Sequence, residues 1–243
     1  METKLITFAN LKGGATKSTH AAALAAGLLE QGKSVLILEL DEQGTAESWA
    51  MAAAEKNNHL SVRYLDLKDM ELTDAHDAIL EQCKDVDFVI ADTPGNATTG
   101  LTAALITSDV VFIPFMLTDP DIRGVHRTHE LLLAGLVSMN AEPEGFNNFC
   151  LLYVKENSFI SNERNVALQT LAETFFVRAG LPRNPVLADW MKTGVTPNQL
   201  MAMFDSRSGK KHMKQLGMSI KQAERSKELI DQLTGNLTEI INA

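Results

Sequence analysis

The stretch Lys12-Gly13-Gly14-Ala15-Thr16-Lys17-Ser18-Thr19 decides how this chain is read. It follows the apolar run Ile6-Thr7-Phe8-Ala9 and opens an Ala/Leu-rich segment, 17–31, with Gly32 just beyond it. The predicted order is a buried strand, a glycine turn and a helix closed by a C-terminal glycine. Glycines let backbone N–H groups approach an anion closely, and a helix N-terminus adds favourable polarity. Lys17 is placed to reach the β- and γ-phosphates of a nucleotide, and Ser18 to offer its hydroxyl to Mg2+. A turn that merely joined strand to helix would not need Lys-Ser at that offset.

Outward from the loop, apolar runs alternate with amphipathic stretches. Strands are predicted at 34–40, 60–67, 87–91, 110–114 and 150–154, with a last short one at Pro185-Val186-Leu187. Helices are predicted at 73–83, 121–139, 162–179, 196–204 and 219–234. Continuous apolar strands alternating with helices mean an α/β fold, a mostly parallel sheet covered on both faces. No repeat or linker divides residues 1–243, so a single P-loop domain is expected, with no helix-turn-helix before its first strand.

Two further segments complete the expected site. Asp92 ends the run Phe88-Val89-Ile90-Ala91 and precedes Thr93-Pro94-Gly95. A buried strand that delivers one carboxylate is the Walker B pattern, which serves Mg2+. Glu39-Leu40-Asp41-Glu42-Gln43 closes the second strand at the edge where parallel sheets bind ligands.

The loop departs from G-x-x-x-x-G-K-[ST]: Leu11 and Thr16 stand where glycines would be, and Lys12 is added. It resembles the deviant Walker A loop of the ParA/MinD family, and the resemblance runs over nearly the whole chain. Ala91-Asp92-Thr93-Pro94-Gly95 and Ile113–Ile122 resemble the VirC-type branch, whose members serve plasmid maintenance and DNA transfer. The resemblance implies ATP and Mg2+ as cofactors, bound by residues 12–19, with hydrolysis of ATP to ADP and phosphate. It implies that Lys12 reaches the phosphates of a second copy, so that ATP binding and homodimerisation are one event. Asp41 would orient or deprotonate the attacking water, and Glu39 would lie near the Mg2+ shell. The family has glycine at position 16, so Thr16 would be strained if that position needs a positive φ. The absence of an N-K-x-D signature favours adenine, with Asn10 and 153–157 as candidate contacts.

The net charge of −9 argues against a nucleic-acid partner until its distribution is considered. Arg207, Lys210, Lys211, Lys214, Lys221, Arg225 and Lys227 face a single acid, Glu224, so 207–227 carries +6 and the remainder −15. Partition-type members bind DNA nonspecifically through such a C-terminal patch, and cations sharing a face neutralise phosphates without reading bases. The helical segment 205–230 is therefore the expected DNA surface. A cargo-bound ParB-like or adaptor protein is the expected partner that stimulates hydrolysis. No apolar run reaches the roughly 18–20 residues of a membrane span. The last helix carries no lysine or arginine after Lys227, and Cys83 and Cys150 have no metal-ligand spacing. A cytoplasmic protein, nucleoid-associated when ATP-bound and without a membrane partner, is expected. Two alternatives remain: a metabolic ATP-dependent ligase or synthetase on the same scaffold, and a nucleotide switch with little hydrolysis.

Overall fold

A computed structural model describes residues 2–42, 44–142, 149–155 and 162–242. The chain begins with β1 (Lys4–Phe8), α1 (Lys17–Glu30), β2 (Val35–Glu39), α2 (Thr45–Ala54), β3 (Leu60–Tyr64) and α3 (Leu72–Leu80). It continues through β4 (Phe88–Asp92), α4 (Thr99–Thr107), β5 (Val110–Phe115), α5 (Asp119–Ser138) and β6 (Phe149–Tyr153). It ends with α6 (Asn162–Thr174), β7 (Phe176–Ala179), α7 (Pro185–Met191), α8 (Pro197–Met203), α9 (Arg207–Gln215) and α10 (Ile220–Ile241). The seven strands form one sheet in the order β3-β2-β4-β1-β5-β6-β7, every pairing parallel.

Alternation along the strands splits the core into two layers. Ile6, Phe8, Ile37, Ile90 and Phe112 face α1, α2, α7, α8 and α10. Leu5, Leu38, Val89 and Ala91 face α3 and α4, while Val111, Ile113 and Phe115 face α4, α5 and α6. Burial on both faces is why these strands read as continuous apolar runs.

Helix α1 lies between the sheet and α10, so both its sides are buried and small residues fill it. A Cβ on Gly27 would meet Thr234 Oγ1 at 1.9 Å, so that glycine sets how closely α10 packs. Gly32 closes the helix with φ +76°.

Three predicted elements change. The helix expected over 162–179 stops at Thr174, and Phe176–Ala179 pairs with β6 as an edge strand. The strand expected at Pro185–Leu187 is the first turn of α7; Asn184 Oδ1 accepts the Val186 N–H at 3.0 Å, with Pro185 just after the cap. That cap-plus-proline pair is itself a helix-start signal. The helix expected over 219–234 continues to Ile241. Helices α2 and α4 were not expected. Among the described residues no helix is long and apolar enough to cross a membrane.

Candidate functional site

Strand register builds the site. Phe8 and Glu39 each pair with Asp92, so β1, β2 and β4 end together. The glycine loop leaves β1 at that edge, and Lys17 begins α1 directly above it. The result is a cleft of about 740 Å3 lined by Gly13, Gly14, Lys17, Ser18, Asp41 and Gly95, with a second wall from 181–188.

Lys17 is buried, and its Nζ lies 3.4 Å from the Asn10 carbonyl. Desolvation holds its pKa below the usual lysine range, against the opposing pull of Asp92 and Asp41. Gly14 takes φ +76° and Thr16 takes φ +64°. The strain expected at Thr16 is therefore present: a threonine occupies left-handed space. Its hydroxyl donates to the Ala15 carbonyl at 2.6 Å. Gly95 packs against the loop so closely that a Cβ there would meet Gly13 N at 3.0 Å. The segment after Asp92 thus touches the loop directly.

Asp92 is buried, and neither carboxylate oxygen has a hydrogen-bond partner of good geometry. The nearby Ser18 hydroxyl and Lys17 act to lower its pKa, yet burial outweighs them and lifts it to about 6. An orphaned buried carboxylate beside a serine hydroxyl is a donor set that suits a hydrated divalent cation. Glu39 lies beside it but is differently engaged. Its Oε1 accepts the Asp41 N–H at 3.0 Å and its Oε2 the Glu47 N–H at 3.1 Å. It braces the Asp41 loop and the start of α2, leaving Asp92 as the carboxylate with open lone pairs. Burial, then the Asp92 charge, push the Glu39 carboxyl up to about 8.

These shifts give a signed pH dependence. A carboxyl whose folded pKa is raised stabilises the fold below its unfolded pKa and loses that stabilisation as pH rises through the folded value. Buried His20, with its pKa pushed down to about 4, acts in the opposite sense below about 6.5. Between about pH 6.5 and pH 8, Glu39 dominates, and metal-free protein is expected to lose up to about 1.4 kcal/mol per pH unit. Mg2+ should flatten that slope by favouring the ionised carboxylates. Melting curves with and without Mg2+ test this; a melting temperature that climbs through the window contradicts it.

Lys12 does not line the cleft. Its Nζ lies 3.0 Å from Asp121 Oδ2 on α5, a carboxylate with no exposed surface whose other oxygen is unpartnered. Thr118, the N-cap of α5, also donates its hydroxyl to Asp121. Asn10 is not at the cleft wall either: its side-chain amide donates to the Pro114 carbonyl at 2.9 Å and braces β1 against β5. Of the stretch 153–157, residues 156 and 157 lie outside the described ones. Ala15 is buried, and Thr16, Ser18 and Thr19 are half-buried.

The basic segment divides. On α9, Arg207, Lys210, Lys211 and Lys214 are exposed and fall within roughly 100° of helical arc, while Gly209 and Met213 are buried on the other side. Among the described residues these four and Lys221 form no ion pair. Arg225 is paired with Glu228, and Lys227 with Asp231 and Glu30.

Three participants were not expected from the sequence: the wall 181–188, Asp121 and His20. The Asn184-Pro185 helix start could have signalled the first; the other two have no local signal.

A parallel sheet carrying this glycine loop, with carboxylates at the ends of β2 and β4, defines a P-loop protein of the ParA/MinD type. The profile of the VirC1 protein family matches residues 3–144, and the chain belongs to that family. It is 31% identical over 140 residues to protein virC1 of Rhizobium rhizogenes, a match covering 56% of this chain and 59% of that relative. The match thus spans less than two thirds of the relative. Similarity extends to the maintenance of carboxysome distribution protein A of Halothiobacillus neapolitanus, at 29% over 150 residues, 57% of this chain and 67% of the relative. In fold it resembles an ATP complex of a Cyanothece McdA variant, with TM-score 0.64, 16% identity and coverage of 90% and 98% of the two chains.

Proposed function

We propose that this chain is a partition-type ATPase that dimerises on binding Mg-ATP, binds DNA nonspecifically and positions a DNA or protein cargo. The observation that carries this reading is the convergence of Lys17, Ser18 and Asp41 on one cleft, with the Asp92 carboxylate buried beside Lys17 and Ser18, and with Lys12 on the same loop but turned away from the cleft. The first four are what nucleotide chemistry needs. Lys12, a second cation on the loop that does not line its own cleft, fits a role toward a second chain.

When bound, Mg2+ would spread the charge of the β- and γ-phosphates, and Ser18 and Asp92 are the residues that fit it. Lys17 offsets negative charge on the transferred phosphoryl group. Asp41, at the cleft, orients the water that attacks phosphorus as the bond to the leaving oxygen breaks. The 181–188 wall faces the remainder of the nucleotide. Lys12 leaves Asp121 and reaches the partner's phosphates, which makes ATP the glue of the dimer. The similarity to a protein named for maintenance of carboxysome distribution supports a positioning role; hydrolysis in this reading is stimulated by an adaptor on the cargo.

The four-cation face of α9 and Lys221 would hold DNA through phosphate contacts. Retention on DNA is expected with ATP and weak with ADP. Lys210→Glu combined with Lys211→Glu should reduce retention at least about tenfold while leaving ATP binding intact, and the wild-type affinity should fall steeply with salt. Retention equal in ATP, in ADP and in the charge-reversed protein would remove DNA from the reading.

A further inference from the structure

His20 is fully buried, yet both of its ring nitrogens are engaged, each with a different part of the cleft. Nδ1 lies 2.8 Å from the Thr16 carbonyl oxygen. Nε2 accepts the Leu181 N–H at 2.8 Å. An Nε2 that accepts carries no proton, so the ring is neutral and protonated on Nδ1, which donates to Thr16. The Thr16 hydroxyl lies 3.2 Å from the same Nδ1. Thr16 is the strained, left-handed residue of the glycine loop, and Leu181 opens the opposite wall of the cleft. The approach is built in: a Cβ on Gly180 would stand 2.9 Å from Nε2.

We propose that His20 is a positioning residue that couples the phosphate loop to the 181–185 wall, so that one imidazole sets the distance between the two sides of the nucleotide cleft. On one side it holds the carbonyl of Thr16 and thereby helps to keep a non-glycine residue in the turn. On the other it occupies the Leu181 amide and fixes where α7 begins. This rests on the nucleotide reading of the cleft. The coupling is what a neutral histidine, with one donor and one acceptor on opposite edges of a rigid ring, does and an aliphatic side chain does not.

Two amide variants separate the arms. His20→Asn places its amide near the former Nδ1 and keeps the bond to Thr16, but falls short of Leu181. His20→Gln places its amide oxygen near the former Nε2 and keeps Leu181, but releases Thr16. Calorimetric titration with Mg-ATP and with Mg-tripolyphosphate reads the two sides separately. In His20→Asn, ATP affinity is expected to fall about tenfold, with tripolyphosphate unchanged within about twofold. In His20→Gln, both affinities are expected to fall by the same factor. Gly180→Ala, whose Cβ would crowd Nε2 at 2.9 Å and Leu152 at 3.1 Å while leaving the histidine itself in the sequence, should reproduce the His20→Asn pattern and stands in for it if that variant does not fold. Equal losses of both ligands in His20→Asn or Gly180→Ala, or wild-type affinities in any variant, would overturn the coupling. Wild-type protein that binds neither ligand would instead remove the nucleotide reading, and the coupling with it.

Discussion

Lys17→Ala is expected to lower kcat/KM for ATP by roughly a thousandfold, without lowering the melting temperature of the nucleotide-free protein. The first half follows from where the ammonium stands. Lys17 is buried beneath the glycine loop, within the fields of Asp92 and Asp41, where little water screens it. A cation there acts on phosphate at low effective dielectric, so its removal is not made good by solvent. The second half follows from its pKa. Desolvation is the larger influence on Lys17 and outweighs the attraction of both carboxylates. The charged group is therefore held at a net cost while the cleft is empty, as functional groups often are. Alanine relieves that cost. Steady-state ATPase rates and thermal melts on the same preparation decide the matter. A large drop in melting temperature would mean that Lys17 is structural.

Lys12→Ala is expected to abolish ATP-dependent dimerisation and DNA retention, and also to destabilise the monomer by about 3 kcal/mol. The structural part arises because Asp121 has no exposed surface and Lys12 is its cation. Without Lys12 a buried carboxylate is left with Thr118 as its neutral donor. For a chain of this length that loss corresponds to a fall of about 6–12 °C in melting temperature. Lys12→Ala alone would thus confuse a damaged fold with a lost dimer contact. Lys12→Ala combined with Asp121→Asn removes the stranded charge. It should recover most of the melting temperature while still failing to dimerise. Asp121→Asn by itself frees Lys12, and should shift dimerisation to lower ATP concentration, because the ion pair must break before Lys12 can reach a second chain. Light scattering across an ATP series measures this. An Asp121→Asn protein that needs as much ATP as the wild type would show that Lys12 stays at home.

Much of the fold was legible because its signals are local. Phe88–Asp92 and Val110–Phe115 are apolar almost throughout, which central parallel strands require. The glycine loop announced itself by residue type and offset. Most of what was misread had little local signal. Phe176–Ala179 is largely exposed and becomes a strand because β6 offers it an edge. Pro185–Leu187 is too short for either periodicity to register, and its apolar content outweighed the Asn184 cap. Arg225 and Lys227 stood in the basic run like their neighbours; their partners Glu228 and Asp231 lie three and four residues on along α10, a local signal that was passed over, whereas only packing brings Glu30 to Lys227.

By itself, the sequence determined the glycine loop between β1 and α1, the presence of carboxylates at and just beyond the ends of β2 and β4, and the doubly covered sheet that carries them. These depend on contiguous residues and on which faces must be apolar. Only the tertiary structure decided that Lys12 rests on Asp121 within its own chain, that Glu39 is spent on backbone amides, and that His20 ties Thr16 to Leu181, 161 residues from the histidine. Such contacts depend on how helices settle against the sheet. No local propensity encodes a meeting between a loop and a distant wall; the packing of α1, α5 and α7 creates it.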